Sequence, residues 1–344
     1  MGYYINTDSV KPIPEKIKSF IDNHVARHNH ILYGSSDDDY INSGFEKFNP
    51  ECLYNADTVV FHRHHAVGDI LMAVPVIRQM KKYYNIRRVI YEYGETRHVI
   101  QPEMFPDLEC MTTYNGKYDY YIDGENGLLE QDHDVNLGLT DVPRMSLYQR
   151  FLGLPEDTDL DYSFAEDTSK MQFDIDKDNI AYLALYTGTN VRRIVQSFIP
   201  YLSKYLNFIG YKVLFADNMQ PIKNIDAIYA YGTTNVQQAI TNMKHSKICI
   251  SVDTGSLWFS HFAKVPTIVL AGSTSKEVRM TYHPMRKSGQ AFGIDMRKYC
   301  GCDKHCGGTG IYCGKLAPCM NEFPYGKLLE DIAILIDKIR KVEK

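Results

Sequence analysis

The chain has 344 residues, with 42 acidic side chains against 38 basic ones and a formal net charge of −4. That balance gives no global attraction to nucleic acid or acidic lipid, although a local basic patch is still allowed. The length suits two domains better than one core.

No stretch approaches about 18 uninterrupted apolar residues, so no membrane span is expected. The N-terminus, MGYYINTDSVKPIPEKIK, lacks the apolar core of a signal peptide, and a cytoplasmic protein is the simplest expectation. Residues 1–55 read as an extension, with a helical stretch PEKIKSFIDNHVARHN and an acidic tract SSDDDY. The first regular unit, 56–155, opens with a strand at DTVVFHR. A helix follows over Asp69–Tyr84, then strands at RRVIYEY, LECMTTY and YDYYID, and a helix around VPRMSLYQRFLG. Residues 156–178 are acidic and weakly patterned, as an inter-domain linker would be. The second unit, 179–325, alternates again: strands at NIAYLALY, YKVLFAD, DAIYAYG, KICISVD and PTIVLAG, with helices near Gln196–Gly210, NVQQAITNMKHS and SLWFSHFAK. A well-patterned helix covers 326–344. Strands alternating with helices predict parallel sheets. The expected class is α/β: two Rossmann-like domains facing a cleft, with a Cys-rich insertion near the C-terminus.

Three loops carry candidate chemistry. In ISVDTGSLWF an apolar strand ends at Asp253-Thr254-Gly255 and a helix begins at once. Asp253 and Thr254 are suited to cap it, and Gly255 lets a ligand approach the backbone. The free N–H groups and positive end of such a helix suit a phosphate or diphosphate. In LYTGTNVRR a second strand ends in the loop Thr187, Gly188, Thr189, followed by Arg192 and Arg193, whose guanidiniums suit diphosphate oxygens. In AVGDILMAVP, Asp69 follows a glycine turn after a strand. It is either a helix cap or a carboxylate that takes a proton from an acceptor hydroxyl.

The pairing of GDILMAVPVIRQMKK with SVDTGSLWFSHFAKVPTIVLAGST resembles glycosyltransferase family 9, the heptosyltransferase-containing family, over about residues 57–275. The resemblance implies a GT-B fold with donor nucleotide on the C-terminal domain and acceptor mainly on the N-terminal one. It matches Asp69 to the catalytic base. It matches Asp253, Thr254 and Gly255 to the donor diphosphate loop and Thr187–Thr189 to a second donor-phosphate region. Ser256 at the helix start belongs with that donor set. At the third position after Asp-Thr-Gly the family usually has histidine. Here Trp258 stands there, with His261 nearest, which is similar to the autotransporter heptosyltransferase subgroup with its cysteine-rich metal finger.

Five of the eight cysteines, Cys300, Cys302, Cys306, Cys313 and Cys319, crowd the segment 296–324. In a reduced compartment such crowding favours metal ligation over disulfides, and four thiolates suffice for structural zinc or iron. Which four bind is not fixed by the spacing, and His305 is an alternative ligand. His62 and His64 in FHRHH, and the triplets DTD, DLD and DID, read as cleft-lining or surface groups rather than metal sites. No P-loop and no strand-borne G-x-G-x-x-G is present, which argues against a kinase or dehydrogenase.

The expected activity is inverting transfer of a sugar from a nucleotide-diphosphate sugar, ADP-heptose-like or other, to a hydroxyl on a surface glycan or protein. No catalytic metal is required. Transfer to hydroxymethylated DNA bases and a nucleotide-sugar epimerase of the same fold are the alternatives, and an oligomer is allowed.

Overall fold

A computed structural model describes the chain apart from residues 1, 8–9, 13–24, 28, 35–40, 64–65, 95–99, 125–141, 188–191, 217–221, 223–224, 231, 273, 303–316 and 343–344. The described residues form two compact units: the first runs through His133 and Arg144–Asp161, and the second takes Val142 and Pro143 with Tyr162 onward.

The first unit contains β1 (Gly2–Asn6), β2 (Val10–Pro12), β3 (Val25–Arg27), β4 (His30–Gly34), β5 (Glu46–Lys47), β6 (Thr58–His62), α1 (Val67–Tyr83), β7 (Arg88–Glu92), β8 (Glu109–Met111), β9 (Tyr120–Asp123) and α2 (Arg144–Phe151). Its main sheet has the order β5-β1-β4-β9-β6-β7-β8. Strands β4, β9, β6, β7 and β8 run parallel, and β1 joins β4 and β5 antiparallel. Strand β6 is apolar on successive residues, and Val59, Val60 and Phe61 are all buried, as expected for a parallel strand covered on both faces. Helix α1 is buried almost all round, from Ile70 through Ile77, which explains its near-continuous apolar sequence. At the end of β9, a Cβ on Gly124 would meet the Phe61 ring at 2.7 Å and the His62 carbonyl at 2.9 Å, so glycine permits the close approach to β6.

The N-terminal stretch is not an appendage. Its strand β4 pairs with β9, His30 opposite Tyr121, and Tyr4, Asn6 and Ile31 are buried. The helix expected over PEKIKSFIDNHVARHN is replaced at its end by β3, which pairs with β2; residues 14–24 and 28 of that stretch lie outside the described residues. Strand pairing there outweighs the local helical spacing.

The second unit contains β10 (Ile180–Ala184), α3 (Ile199–Phe208), β11 (Lys212–Phe215), β12 (Ile228–Tyr229), α4 (Val236–Lys244), β13 (Ile248–Val252), α5 (Gly255–Ala263), β14 (Thr267–Ala271), α6 (Lys276–Met280), β15 (Ala291–Asp295), α7 (Pro318–Asn321) and α8 (Tyr325–Val342). The sheet order is β12-β11-β10-β13-β14-β15, all parallel. Helix α8 matches its sequence pattern, burying Leu328, Ile332, Ile336 and Ile339 along one stripe. Strand β15 and helix α6 carry no clear periodicity and were not expected.

The stretch read as a linker divides between the units. From Tyr162 onward it lies along the second: the Tyr162 hydroxyl donates to the Tyr282 carbonyl at 2.9 Å, and Gln237 Nε2 donates to the Ala165 carbonyl at 2.8 Å. No helix among the described residues is long and apolar enough to cross a membrane.

Because β4 covers one side of β9, deleting residues 1–47 uncovers a row of unpaired backbone groups. The truncated protein is expected to aggregate or melt well below the full chain in a thermal scan. An unchanged melting temperature would show that the stretch is dispensable.

Candidate functional site

In both units the strand order reverses beside one strand. From β6 the first unit continues outward through β7 and β8, then returns to β6's other side with β9. From β10 the second continues through β11 and β12, then returns with β13, β14 and β15. Ligands of open α/β sheets bind outside the carboxyl ends of strands at such switch points. Each singled-out loop follows one of these strands: Thr187 follows β10, Asp253 follows β13, and Asp69 lies just after β6.

In the second unit, Asp253 is 4% exposed and is a hub of charge. Arg279 Nε lies 3.0 Å from Oδ1 and Arg192 Nε 3.6 Å from Oδ2. The Thr274 hydroxyl donates to Oδ2. Asp253 is therefore not a helix cap: Thr254 is the N-cap of α5, and no side chain caps that end. Its backbone N–H groups at Gly255 and Ser256 are those left over at any helix start. Arg193 behaves differently from Arg192. Its guanidinium stacks on Tyr186, 3.9 Å from the ring centre, and donates from Nε and Nη2 to the Thr187 carbonyl at 3.3 and 3.0 Å. It holds its own loop. Gly188 and Thr189 lie outside the described residues. Three guanidiniums against one carboxylate leave this strand end locally positive, which suits a diphosphate despite the chain's acidic total.

Trp258 is 4% exposed, its ring 4.6 Å from that of His261, which in turn lies 4.5 Å from His283. His261 Nδ1 donates to the Leu257 carbonyl at 2.9 Å, and His283 Nε2 contacts Ser260 Oγ at 3.1 Å. Burial pushes His261 down to about 4, and burial, then the neighbouring His261, holds His283 well below its ordinary value.

In the first unit, Asp69 is the third residue of α1, whose N-cap is Ala66, so Asp69 is no cap either. Its Oδ1 lies 3.1 Å from Arg144 Nη1 and 3.8 Å from Arg63 Nη2. The side chain is 15% exposed, against 1% for Arg63 and 12% for Arg144. His62 pairs across strands with Glu92, Nδ1 to Oε1 at 2.9 Å, and Glu92 also accepts from the Tyr121 hydroxyl and the Tyr114 backbone N–H. Burial raises the Glu92 carboxyl, but those hydrogen bonds outweigh it and hold the group below its ordinary value. His62 is thus tied to a carboxylate, and His64 lies outside the described residues.

Two of the D-x-D triplets make turns. Asp157 accepts from the Asp159 N–H and Asp174 from the Asp176 N–H, and both are surface contacts. Among the described residues, no three His, Cys, Asp or Glu side chains gather to hold a metal ion. Cys300, Cys302 and Cys319 are free thiols; Cys306, Cys313 and His305 lie outside the described residues.

Sequence reasoning did not find Arg63, Arg144, Arg279, Thr274 or Glu92. Arg63 stood in view within FHRHH. Arg279 is brought to Asp253 only because the loops after β13 and β14 are neighbours, and no local pattern signals that.

The buried imidazoles make stability depend on pH. Unfolded, His261 takes up a proton near 6.5; folded, it does so only near about 4. Stability is complete above pH 6.5 and falls as pH drops toward 4, by about 3 kcal/mol from this residue. Thermal melts are expected to show a fall between pH 7 and pH 5 that is flatter in His261→Gln. Equal slopes for the two proteins would contradict this.

No protein-family model matches the sequence, and no curated protein sequence does. Solved structures do match. The glycosyl transferase family 9 protein from Veillonella parvula aligns at 14% identity over 83% of this chain and 99% of that one, with a TM-score of 0.54. The dodecameric iron-containing glycosyltransferase TibC from enterotoxigenic E. coli aligns at 14% identity over 68% of this chain, with a TM-score of 0.52. The chain spans 64% of the length of that TibC structure. TibC in complex with ADP-D-beta-D-heptose aligns at 12% identity over 80% of this chain and 75% of that one, with a TM-score of 0.51. At such identities the likeness speaks for the fold, and the two parallel α/β units seen here are its components: the chain has the GT-B fold in the form found in family 9 glycosyltransferases.

Proposed function

We propose that the protein is an inverting glycosyltransferase that uses a nucleotide-diphosphate sugar. The observation that carries this reading is the positive strand end of the second unit, where Asp253 holds Arg192 and Arg279 beside the start of α5. A helix start and guanidiniums at a switch point are what a leaving diphosphate needs. The fold adds support, since TibC with this fold was solved with ADP-D-beta-D-heptose. An ADP-heptose-like donor is the reading we adopt, with the acceptor hydroxyl on a surface glycan or protein.

On the donor side, Arg192 and the backbone N–H groups of Gly255 and Ser256 take the diphosphate, beside Thr254 and Thr187; Gly188 and Thr189 belong to the proposed donor set and lie outside the described residues. Arg193 holds the Thr187 carbonyl and so the loop's shape. Asp253 carries a negative charge that would repel a diphosphate, and its part is to present the arginines. Trp258, a residue of α5 itself, packs its ring against His261 of the same helix.

In the reaction, the acceptor oxygen forms a bond to the anomeric carbon while the bond from that carbon to the diphosphate oxygen breaks. The acceptor proton passes to Asp69, and the electron pair of the broken bond leaves with the nucleoside diphosphate. The transition state is oxocarbenium-like, as in other glycosyl chemistry. Inversion follows from a single displacement.

A structural zinc or iron on four of Cys300, Cys302, Cys306, Cys313 and Cys319 is a separate proposal, and no step of the reaction is routed through it. Metal analysis of the reduced protein tests it: less than a stoichiometric trace of both metals would remove it.

A thermal-shift screen of nucleotide sugars is expected to pick out ADP-heptose above the others, and stabilisation by none would sink the reading. Arg192→Ala is expected to weaken donor binding by about tenfold, as loss of one charge-assisted contact does. Asp69→Asn is expected to keep donor binding and lose about a hundredfold or more in transfer. Intact transfer in Asp69→Asn would remove the base assignment.

A further inference from the structure

We propose that Arg144 is a positioning residue for Asp69, acting with Arg63 to fix the carboxylate and set how readily it accepts a proton. The proposal rests on Asp69 as the base of the reaction above. Both guanidiniums address the same oxygen, Oδ1, from different elements. Arg63 comes from the turn after β6, and its Nη1 also reaches the Gly124 carbonyl at the end of β9, 3.5 Å away. Arg144 is the first residue of α2. The clamp therefore joins the strand end on each side of the switch point, the start of α1 and the start of α2.

A carboxylate gripped through one oxygen has its plane fixed, which a base needs if it is to meet a hydroxyl in line. The same grip has an electrostatic consequence. Two cations within 4 Å of one carboxylate favour its ionised form and weaken it as a base. The start of α1 acts in the same direction. Among the described residues at these strand ends, Glu92 pairs with His62, and Asp123 lies 3.7 Å from His30. Arg63 and Arg144 are the cations that directly address the Asp69 carboxylate. Arg63 is almost wholly buried, and its loss would damage the fold. Arg144 is the partner that can be changed, and the geometry makes it the adjustable half of the clamp.

The test uses the full-length protein labelled with carbon-13. The Asp69 carboxyl carbon, assigned as the resonance missing from Asp69→Asn, is followed against pH in wild type, Arg144→Met and Arg144→Lys. The expected result is a midpoint moved to higher pH in Arg144→Met, about a tenfold gain in proton affinity, and largely restored in Arg144→Lys. A midpoint unchanged in Arg144→Met overturns the proposal, whatever the enzyme's activity. Melting temperatures identify a variant that fails to fold; Arg144→Gln then takes the place of Arg144→Met under the same criterion. ADP release from ADP-heptose supplies a second readout. Arg144→Met is expected to lower kcat with little change in donor KM, and to move the acidic limb of the kcat profile in the same direction as the carboxyl midpoint. If Asp69→Asn releases ADP as fast as wild type, the base reading falls while the titration still decides the clamp. If Asp69→Asn is slow and the Arg144→Met profile does not move, the clamp falls and the base remains.

Discussion

Each unit is organised by the same constraint: a parallel sheet buried on both faces can offer polar groups to a ligand only at its strand ends. The strands themselves are apolar on both sides, as in β6 and β13, so nothing along their length can bind a charged molecule. Where the chain reverses its direction of travel across the sheet, two neighbouring loops part and leave backbone and short side chains uncovered. Asp69 and Asp253 stand at those two places.

The two aspartates are built alike and differ in one respect that separates their roles. Each is bracketed by two arginines drawn from other elements: Asp69 by Arg63 and Arg144, Asp253 by Arg279 and Arg192. A lone buried carboxylate would be costly, and the paired guanidiniums offset that cost. The Asp253 side chain is 5% exposed, and that of Asp69 is 15% exposed. In the proposed reaction the deeper one holds its arginines, and the shallower one meets the acceptor hydroxyl. In the second unit the guanidiniums outnumber the carboxylate they surround, which suits the proposed diphosphate site even in a chain of net charge −4.

Much of the fold was legible because long periodic segments report burial directly. Strands β6, β7, β10, β13 and β14 read as apolar runs, and α1 and α8 as helices, within a residue or two. The helix expected over PEKIKSFIDNHVARHN gives way at its end to the short strand β3, held by pairing with β2, and β4 of the same stretch is fixed by pairing with β9, far away in sequence. Strand β15 was missed for a similar reason: a glycine at its centre and half-buried flanks erase the pattern that β14 supplies by pairing with it.

At the sites the division is sharper. Asp69, Thr187, Arg192 and the Asp253-Thr254-Gly255 loop could be named from sequence, because a polar residue at the junction of a buried strand and a helix is unusual enough to notice. What sequence determined was therefore the alternation of strands and helices and the polar junctions that the proposed function uses. Only the tertiary structure decided what each junction residue does. It set Arg193 on Tyr186 and left Arg192 with Asp253, brought Arg279 across from a later loop, and closed Arg63 and Arg144 on Asp69. Arg144 and Asp69, Arg192 and Asp253, and Arg279 and Asp253 are dozens of residues apart in the chain, and the sheet order brings them together.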